Sequence, residues 1–285
     1  MNDINDDENL STIDVLRRQE NEVSPCINFI NLSTNNEIDE TCRTSMVVYL
    51  QKIGKALKLS PETVWQSISF FDRYLSSGKG KSNDAMQDKY KFQLVAISSF
   101  YIAVKLYEQV ELSVDTLAKL CKGYYAEKDI LTSEEDILFA LDFRLATPTP
   151  VEFIRHYIHL LPSETIDKKN LLKACEKRVE YTSTDIYFTF CRPSCVGASV
   201  LTSILLDQDV LSTQERQTLY LKLAKMTDLI EVMECQKKLA TGKAVNMPLV
   251  SSVKKSISSK VAAPVVAIGE SSPVSVEKAP LPRAA

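Results

Sequence analysis

The sequence predicts an all-α protein of two tandem five-helix domains, with a short N-terminal helix before them and a disordered C-terminal tail after them. Three observations carry this prediction. Apolar residues recur with the period of an α-helix from about Ile38 to Leu239, no segment of strand length alternates with period two, and only 7 of the 285 residues are glycine. Turn-rich β folds need more glycine than this, because their tight turns require positive φ angles.

The predicted boundaries follow changes in composition. The chain divides into an N-terminal arm with the short helix, a first domain, a second domain and the tail, at residues 1–37, 38–147, 148–240 and 241–285. The first ten residues are acidic and are expected to be mobile, so that the short helix begins near Ser11. The tail is rich in Ser, Pro, Lys and Val and has no aromatic residue, so it lacks the material for a core.

Helix signals in the first domain follow one another closely. Ser60 and Pro61 supply an N-cap and a first-turn proline, whose missing N–H has no partner to lose. The segment 89–107 is apolar on more than one side, which predicts a central, buried helix. Two further helices are predicted over residues 112–122, which is entered at Ser113, and 127–143.

The second domain begins at a rigid joint. In the run from Thr147 to Pro150, each proline fixes its own φ and moves the residue before it out of the α region. Thr149 and Glu152 then form a capping box that starts the next helix, and Ser212 and Glu215 form a second one. The remaining helices are predicted over residues 167–190, 193–206, 212–223 and 227–240.

Composition excludes several classes of protein. The sequence has no glycine-rich phosphate loop, which disfavours Walker-type ATPases and Rossmann dehydrogenases. Its net charge of −3 gives no overall attraction to nucleic acid. The 7 cysteines are odd in number and lack a C-x-x-C pair, which indicates a reducing compartment, here the nucleus or the cytoplasm. The acidic start does not resemble a targeting peptide, and no apolar run is long enough to span a membrane.

Residues able to carry chemistry are few. His156 and His159 are three apart on a predicted helix, with Glu152 nearby as a third metal ligand, but ordinary half-exposed histidines are the favoured interpretation. Cys191 and Cys195 lack two further ligands, so packing is favoured for them over zinc binding. No nucleophile motif or acid–base pair is recognisable, so the sequence predicts neither an enzyme nor a cofactor.

Four segments together resemble the cyclin box. They are SFFDRYLS at 69–76, FQLVA at 92–96, AVKLYE at 103–108 and EEDILFALDFRL at 134–145. Their order and spacing match the cyclin family, residues 148–239 resemble its second domain more loosely, and residues 13–22 resemble the helix before the box. The resemblance implies two cyclin-fold domains and a non-catalytic subunit that binds and allosterically activates a cyclin-dependent Ser/Thr protein kinase, in cell-cycle control.

The resemblance also implies roles for individual residues. Lys105 and Glu134 match the charged residues that contact the kinase around its movable helix. The apolar positions of the same interface, for which core packing is nearly as well supported, are Leu106, Leu138, Phe143 and Leu145. Arg43 and Asp72 match a structural ion pair, and Leu94 matches a core position.

A substrate-docking patch is implied less firmly. Its matching residues are Met46, Tyr49, Phe92 and Gln93, but Tyr49 stands where the family has tryptophan, so docking of substrates or inhibitors is expected to be weakened. Two other functions stay open, a cyclin-fold transcription module and a helical enzyme. The first is disfavoured by the net charge of −3 and the lack of a zinc ribbon, the second by the lack of catalytic groups. Neither a membrane nor a direct nucleic-acid partner is expected.

Overall fold

The computed structural model describes residues 3–23, 26–34, 37–109, 111–161 and 166–243. Within these ranges the backbone forms α-helices and short 3-10 turns and no β-strand, which confirms the all-α prediction. The chain gathers into two compact units. Among the described residues, one runs from Asn28 to Phe143, and the other joins the residues up to Ile27 to those from Arg144 to Lys243.

The α-helices of the described residues are numbered in chain order. They are α1 Asp3–Glu22, α2 Glu40–Ala56, α3 Pro61–Ser77, α4 Ser82–Ala85, α5 Lys89–Tyr107, α6 Val114–Leu120, α7 Glu127–Ala140, α8 Pro150–Tyr157, α9 Lys168–Thr182, α10 Pro193–Asp207, α11 Thr213–Ala224 and α12 Leu229–Lys243. Short 3-10 turns span Phe29–Leu32, Ile158–Leu160 and Ile186–Phe190. Apart from α1 and the single turn α4, five helices belong to each unit, as the sequence predicts.

Helix α5 lies at the centre of the first unit. It buries 12 of its 19 residues, and α3 and α7 both pack against it. The ring of Phe92 on α5 meets that of Phe71 on α3 edge to face, with centroids 5.1 Å apart. Asp88 starts the helix by accepting a hydrogen bond from the Tyr90 N–H at 2.8 Å. The predicted central, buried helix is therefore confirmed.

Helix α10 has the same place in the second unit. It buries 12 of its 15 residues, and α8, α9 and α12 pack around it. Both predicted capping boxes are present. Thr149 accepts a hydrogen bond from the Glu152 N–H at 3.3 Å and donates its own N–H to the Glu152 carboxylate at 3.4 Å, and Ser212 exchanges the same bonds with Glu215.

The N-terminal helix α1 is part of the second unit, where it packs on α8. Ile13 and Leu16 are buried. The Glu20 carboxylate accepts the Ser194 N–H at 2.7 Å and the Ser194 hydroxyl at 2.8 Å, at the first turn of α10. Burial raises the pKa of Glu20, and the two bonds from Ser194 oppose that rise. Arg17 also donates to the Lys225 carbonyl at 3.4 Å.

Two predicted helix limits at the chain ends differ from the structure. Helix α1 begins at Asp3 rather than near Ser11, so the acidic start is helical where mobility was expected. Acidic residues suit this position, because negative charge is favourable at the positive end of a helix. At the other end, α12 extends to Lys243, and the predicted disordered tail otherwise lies outside the described residues.

The helix predicted over residues 167–190 is wrong in length. Helix α9 ends at Thr182, and the hydroxyls of Thr182, Ser183 and Thr184 donate to backbone carbonyls three residues earlier. Asp185 then accepts the Tyr187 N–H at 3.0 Å and starts the 3-10 turn. Such hydroxyl and carboxylate side chains compete with the helical hydrogen bonds of the backbone, which ends the helix here.

Candidate functional site

The two charged residues implied as kinase contacts lie side by side. Lys105, in the last turn of α5, places its Nζ 2.7 Å from Oε1 of Glu134 on α7. The Glu134 side chain is 10% exposed and that of Lys105 is 48% exposed. The Lys105 ammonium also lies 5.1 Å from the centroid of the Tyr101 ring. The pair therefore buries the carboxylate between two helices and leaves part of the lysine facing solvent.

Exposed large apolar side chains occur on the same two helices as this pair, α5 and α7, and at their ends. We use the name α5–α7 apolar surface for Leu106, Tyr107, Leu131, Phe139 and Phe143. These are all the exposed large apolar residues that the structure describes between Asn28 and Phe143. Their concentration at the end of α5 and along α7 distinguishes this face, because exposed apolar residues of a soluble protein are usually scattered singly.

The remaining apolar residues of the implied interface are less open. Leu138 and Leu145 are half-buried. Leu106 and Phe143 are more than half exposed, at 52% and 58%. Core packing therefore does not account for Leu106 and Phe143, whereas Leu138 and Leu145 pack partly against the fold.

The end of α5 is held in place by Glu108. Its carboxylate accepts the Ser60 N–H at 2.8 Å and the Thr63 hydroxyl at 2.6 Å, so it caps the start of α3. This contact ties the last turn of α5 to a second helix. Leu106 and Lys105 are therefore presented from a fixed helix end.

The end of α7 has an unusual backbone. Asp142 and Phe143 have φ angles of 52° and 56°, in the left-handed region that bulky residues rarely adopt. The Phe143 N–H reaches the Leu138 carbonyl at 3.0 Å, and Lys79 Nζ lies 2.7 Å from the Asp142 carboxylate. Each left-handed residue costs about 1–2 kcal/mol, so the rest of the unit maintains this turn. Helix α7 consequently ends at Ala140 rather than at the predicted Phe143.

Asp136, which sequence reasoning did not single out, anchors the segment between α3 and α5. Its carboxylate accepts hydrogen bonds from the Tyr74 hydroxyl and from the Lys81 N–H, the latter at 3.0 Å. It also lies against Gly80, which has a φ of 56° and no room for a side chain. The polar segment after Ser77 is therefore fastened to α7, the helix that carries Glu134.

Replacing Asp136 with alanine is expected to destabilise the protein by about 1–3 kcal/mol, because the Tyr74 hydroxyl would be left without its acceptor. Amide hydrogen exchange near Lys81 should become faster. Chemical unfolding and exchange measured by mass spectrometry test both expectations. Glu135→Ala is the matched control, because Glu135 is exposed. Equal effects of the two substitutions would contradict the anchoring role of Asp136.

The Arg43 guanidinium and the Asp72 carboxylate form a buried, two-pronged ion pair. Nε donates to Oδ1 at 2.8 Å and Nη2 to Oδ2 at 2.7 Å. The two side chains are only 1% and 6% exposed. The pair joins α2 to α3 and lies inside the unit, so it supports the fold rather than the surface.

The residues of the implied docking patch do not form an open surface. Met46 and Phe92 are each 1% exposed, and Tyr49 is half-buried. Gln93 is 2% exposed, and its Oε1 accepts the Tyr125 hydroxyl at 3.1 Å. Burial and the Cys121 thiol raise the pKa of Tyr49 to about 12. Met46, Phe92 and Gln93 are therefore enclosed by their own neighbours, and Tyr49 is partly open to solvent.

The structure corrects the expectation that Leu94 is a core residue. Its side chain is half-buried, whereas Gln93 and Val95 on either side are buried. The inward positions of α5 are taken by its neighbours, so Leu94 lies at the margin of the core.

In the described part of the chain, no group of three or more His, Cys, Asp or Glu side chains is arranged to hold an ion. His156 instead lies with Nδ1 3.2 Å from Asn9 Oδ1, and burial lowers its pKa. Cys195 is fully buried, and burial raises the pKa of its thiol to about 12. In the same described residues, none of the helices has the length and apolarity of a membrane span.

Both halves of the chain match domains of one protein family. Residues 11–146 match the family described as "Cyclin, N-terminal domain", and residues 148–268 match "Cyclin, C-terminal domain". Among curated proteins, Cyclin-A3-3 of Arabidopsis thaliana is 28% identical over 58% of this chain and 49% of its own length. G2/mitotic-specific cyclin-3 of Saccharomyces cerevisiae is 29% identical over 61% of this chain and 38% of its own length. The chain thus spans less than two thirds of these relatives.

Solved structures agree on the fold. A viral cyclin from Herpesvirus saimiri matches with a TM-score of 0.66 and 16% identity, over 82% of this chain and 96% of the viral one. A chain in the structure of the CAK complex from Chaetomium thermophilum matches with a TM-score of 0.52 and 19% identity, over 71% of this chain and 63% of its own. Since the two cyclin domain families together match residues 11–146 and 148–268, the chain belongs to the cyclin family.

Proposed function

We propose that this cyclin binds and allosterically activates a cyclin-dependent Ser/Thr protein kinase in cell-cycle control, and that it has no catalytic residue of its own. The observation that carries the proposal is the α5–α7 apolar surface beside the Lys105–Glu134 pair. A concentration of exposed apolar side chains with charged residues nearby is the usual form of a protein-binding site. The G2/mitotic-specific cyclins among its relatives support the cell-cycle role.

The proposed mechanism is a shift between two states of the kinase. A protein kinase is active only when the lysine of strand β3 pairs with the glutamate of helix αC. A rigid surface that binds the active position of that helix more tightly favours it, and a shift from 1:99 to 99:1 needs about 10⁴-fold tighter binding. The capping of α3 by Glu108 and the hydrogen-bonded end of α7 supply that rigidity.

Two double variants test whether Lys105 and Glu134 contact the kinase. Lys105→Ala with Glu134→Ala removes the pair, whereas Lys105→Glu with Glu134→Lys keeps an ion pair between α5 and α7 but reverses its polarity. We expect both to bind purified cyclin-dependent kinases at least about tenfold more weakly than the unmodified chain. Affinity is measured by biolayer interferometry against a fixed panel of such kinases, and activation by phosphorylation of a peptide substrate.

The variant with the reversed pair distinguishes direct contact with the kinase from a structural role between α5 and α7. If Lys105 and Glu134 only hold α5 to α7, the reversed variant should bind and activate the kinase like the unmodified chain. That result would contradict the contact. The circular dichroism spectrum and Tm of each variant serve as controls for folding, and absence of binding by the unmodified chain to every kinase of the panel would overturn the proposed function.

A further inference from the structure

Phe139 is the most exposed aromatic residue of the α5–α7 apolar surface, at 62%. It lies on α7 away from the buried face of that helix, which is formed by Ile130, Glu134 and Ile137. Packing within the fold therefore does not explain why an aromatic residue occupies position 139. None of the cyclin resemblances assigns a role to this position.

Phe139 is in contact with a residue of the implied kinase interface. Its ring meets that of Phe143 edge to face, with centroids 5.4 Å apart and planes at 84°. Phe143 is placed there by the left-handed backbone at Asp142 and Phe143. A disfavoured backbone conformation that holds a ring in solvent is what a prepared binding contact requires, because the ring is ordered before the partner arrives.

We propose that Phe139 and Phe143 act as one aromatic anchor for the kinase, and that Phe139 widens the binding face so that it selects a kinase with an apolar recess opposite α7. This inference rests on the proposed function. The kinase is the expected occupant because the Phe139 ring is in direct contact with that of Phe143, which the resemblance places in the kinase interface. Aromatic anchors commonly dominate the affinity of such interfaces.

The chemistry of the face specifies its partner. Phe139 and Phe143 present ring edges and faces, while charged residues close to them in the sequence include the exposed Glu135 and Asp142, which pairs with Lys79. An apolar recess rimmed by polar groups complements such a surface. A kinase that presents a charged side chain there would leave that charge buried without a partner, which opposes binding.

The experiment compares Phe139→Ala, Phe139→Tyr and the matched control Ile230→Ala against the same panel of purified kinases. Ile230 is a good control because it is also exposed, at 73%, and lies on α12 in the other unit. We expect Phe139→Ala to bind its tightest kinase about tenfold more weakly and to discriminate less among the panel. Phe139→Tyr should restore most of the affinity, and Ile230→Ala should behave like the unmodified chain.

The outcomes separate this inference from the proposed function. If the Lys105 and Glu134 variants lose binding while Phe139→Ala binds with unchanged affinity and selectivity, the inference is wrong and the proposed function stands. If the unmodified chain binds no kinase of the panel, both fail. Sedimentation velocity tests a second copy of the chain as the occupant: self-association abolished by Phe139→Ala, with kinase binding unchanged, would also overturn the inference.

Discussion

Replacing Arg43 with alanine is expected to lower the free energy of unfolding by about 3–5 kcal/mol, and replacing Asp72 is expected to have a similar effect. Both side chains lie almost wholly inside the unit, where two charge-assisted hydrogen bonds of 2.8 and 2.7 Å satisfy them. Removing one partner leaves the other charged group buried without its opposite charge. The loss is therefore governed by the desolvation of the remaining charge rather than by the strength of the pair.

Urea unfolding followed by circular dichroism measures this effect. The matched control is the exposed pair Lys79–Asp142, whose side chains are 54% and 62% exposed and whose removal should change stability by less than about 1 kcal/mol. An apolar pair, Arg43→Met with Asp72→Leu, should recover most of the loss of either single alanine variant. If each single variant lost no more than the exposed control, the buried pair would have no structural role.

Replacing Gly197 with alanine is expected to destabilise the second unit by about 2–3 kcal/mol. A Cβ at this position of α10 would lie 2.7 Å from the Pro150 carbonyl oxygen, and 3.4 Å from side-chain atoms of Phe153 and Ile154. The obstructing oxygen belongs to the backbone, so it cannot rotate aside. Helices α8 and α10 would have to separate, and the contacts of the most buried helix in the unit would loosen with them.

Gly242→Ala provides the contrast. A Cβ there would be 3.6 Å or more from Tyr181, an ordinary contact, and alanine favours the helix by up to about 1 kcal/mol over glycine. Thermal unfolding should therefore show a fall in Tm for Gly197→Ala and no fall for Gly242→Ala. A tolerated alanine at position 197 would mean that α8 and α10 do not cross as closely as the structure has them.

Local signals in the sequence are sufficient to predict most of the helices. Hydroxyl and carboxylate N-caps act on N–H groups two or three residues away, so Ser60, Thr149 and Ser212 are recognisable without knowledge of the fold. The early end of α9 had a signal too, in the successive residues Thr182, Ser183, Thr184 and Asp185, whose side chains compete for backbone hydrogen bonds. Apolar periodicity continued across that run and concealed it.

The candidate site was less accessible to sequence reasoning. The resemblance implied that Lys105 and Glu134 each contact the kinase. Their contact with each other depends on how α5 and α7 pack, which the sequence does not show. Glu108 and Asp136 act on residues 45 to 62 positions away, which no local pattern reveals. Phe139 did have a signal: an aromatic residue on the outward face of an amphipathic helix has no packing reason to be there.

The division of the chain into units also bears on the order in which they can fold during synthesis. The unit from Asn28 to Phe143 is continuous, but α1 is completed long before the helices that cover it. Helix α8, on which α1 packs, begins at Pro150, and at about 5–20 residues per second the 137 positions from Ile13 to Pro150 take roughly 7–27 s to make. For that time Ile13 and Leu16 lack the partners that later bury them, so the emerging chain presents the apolar side chains of a polar helix, which a chaperone can bind before the second unit covers them.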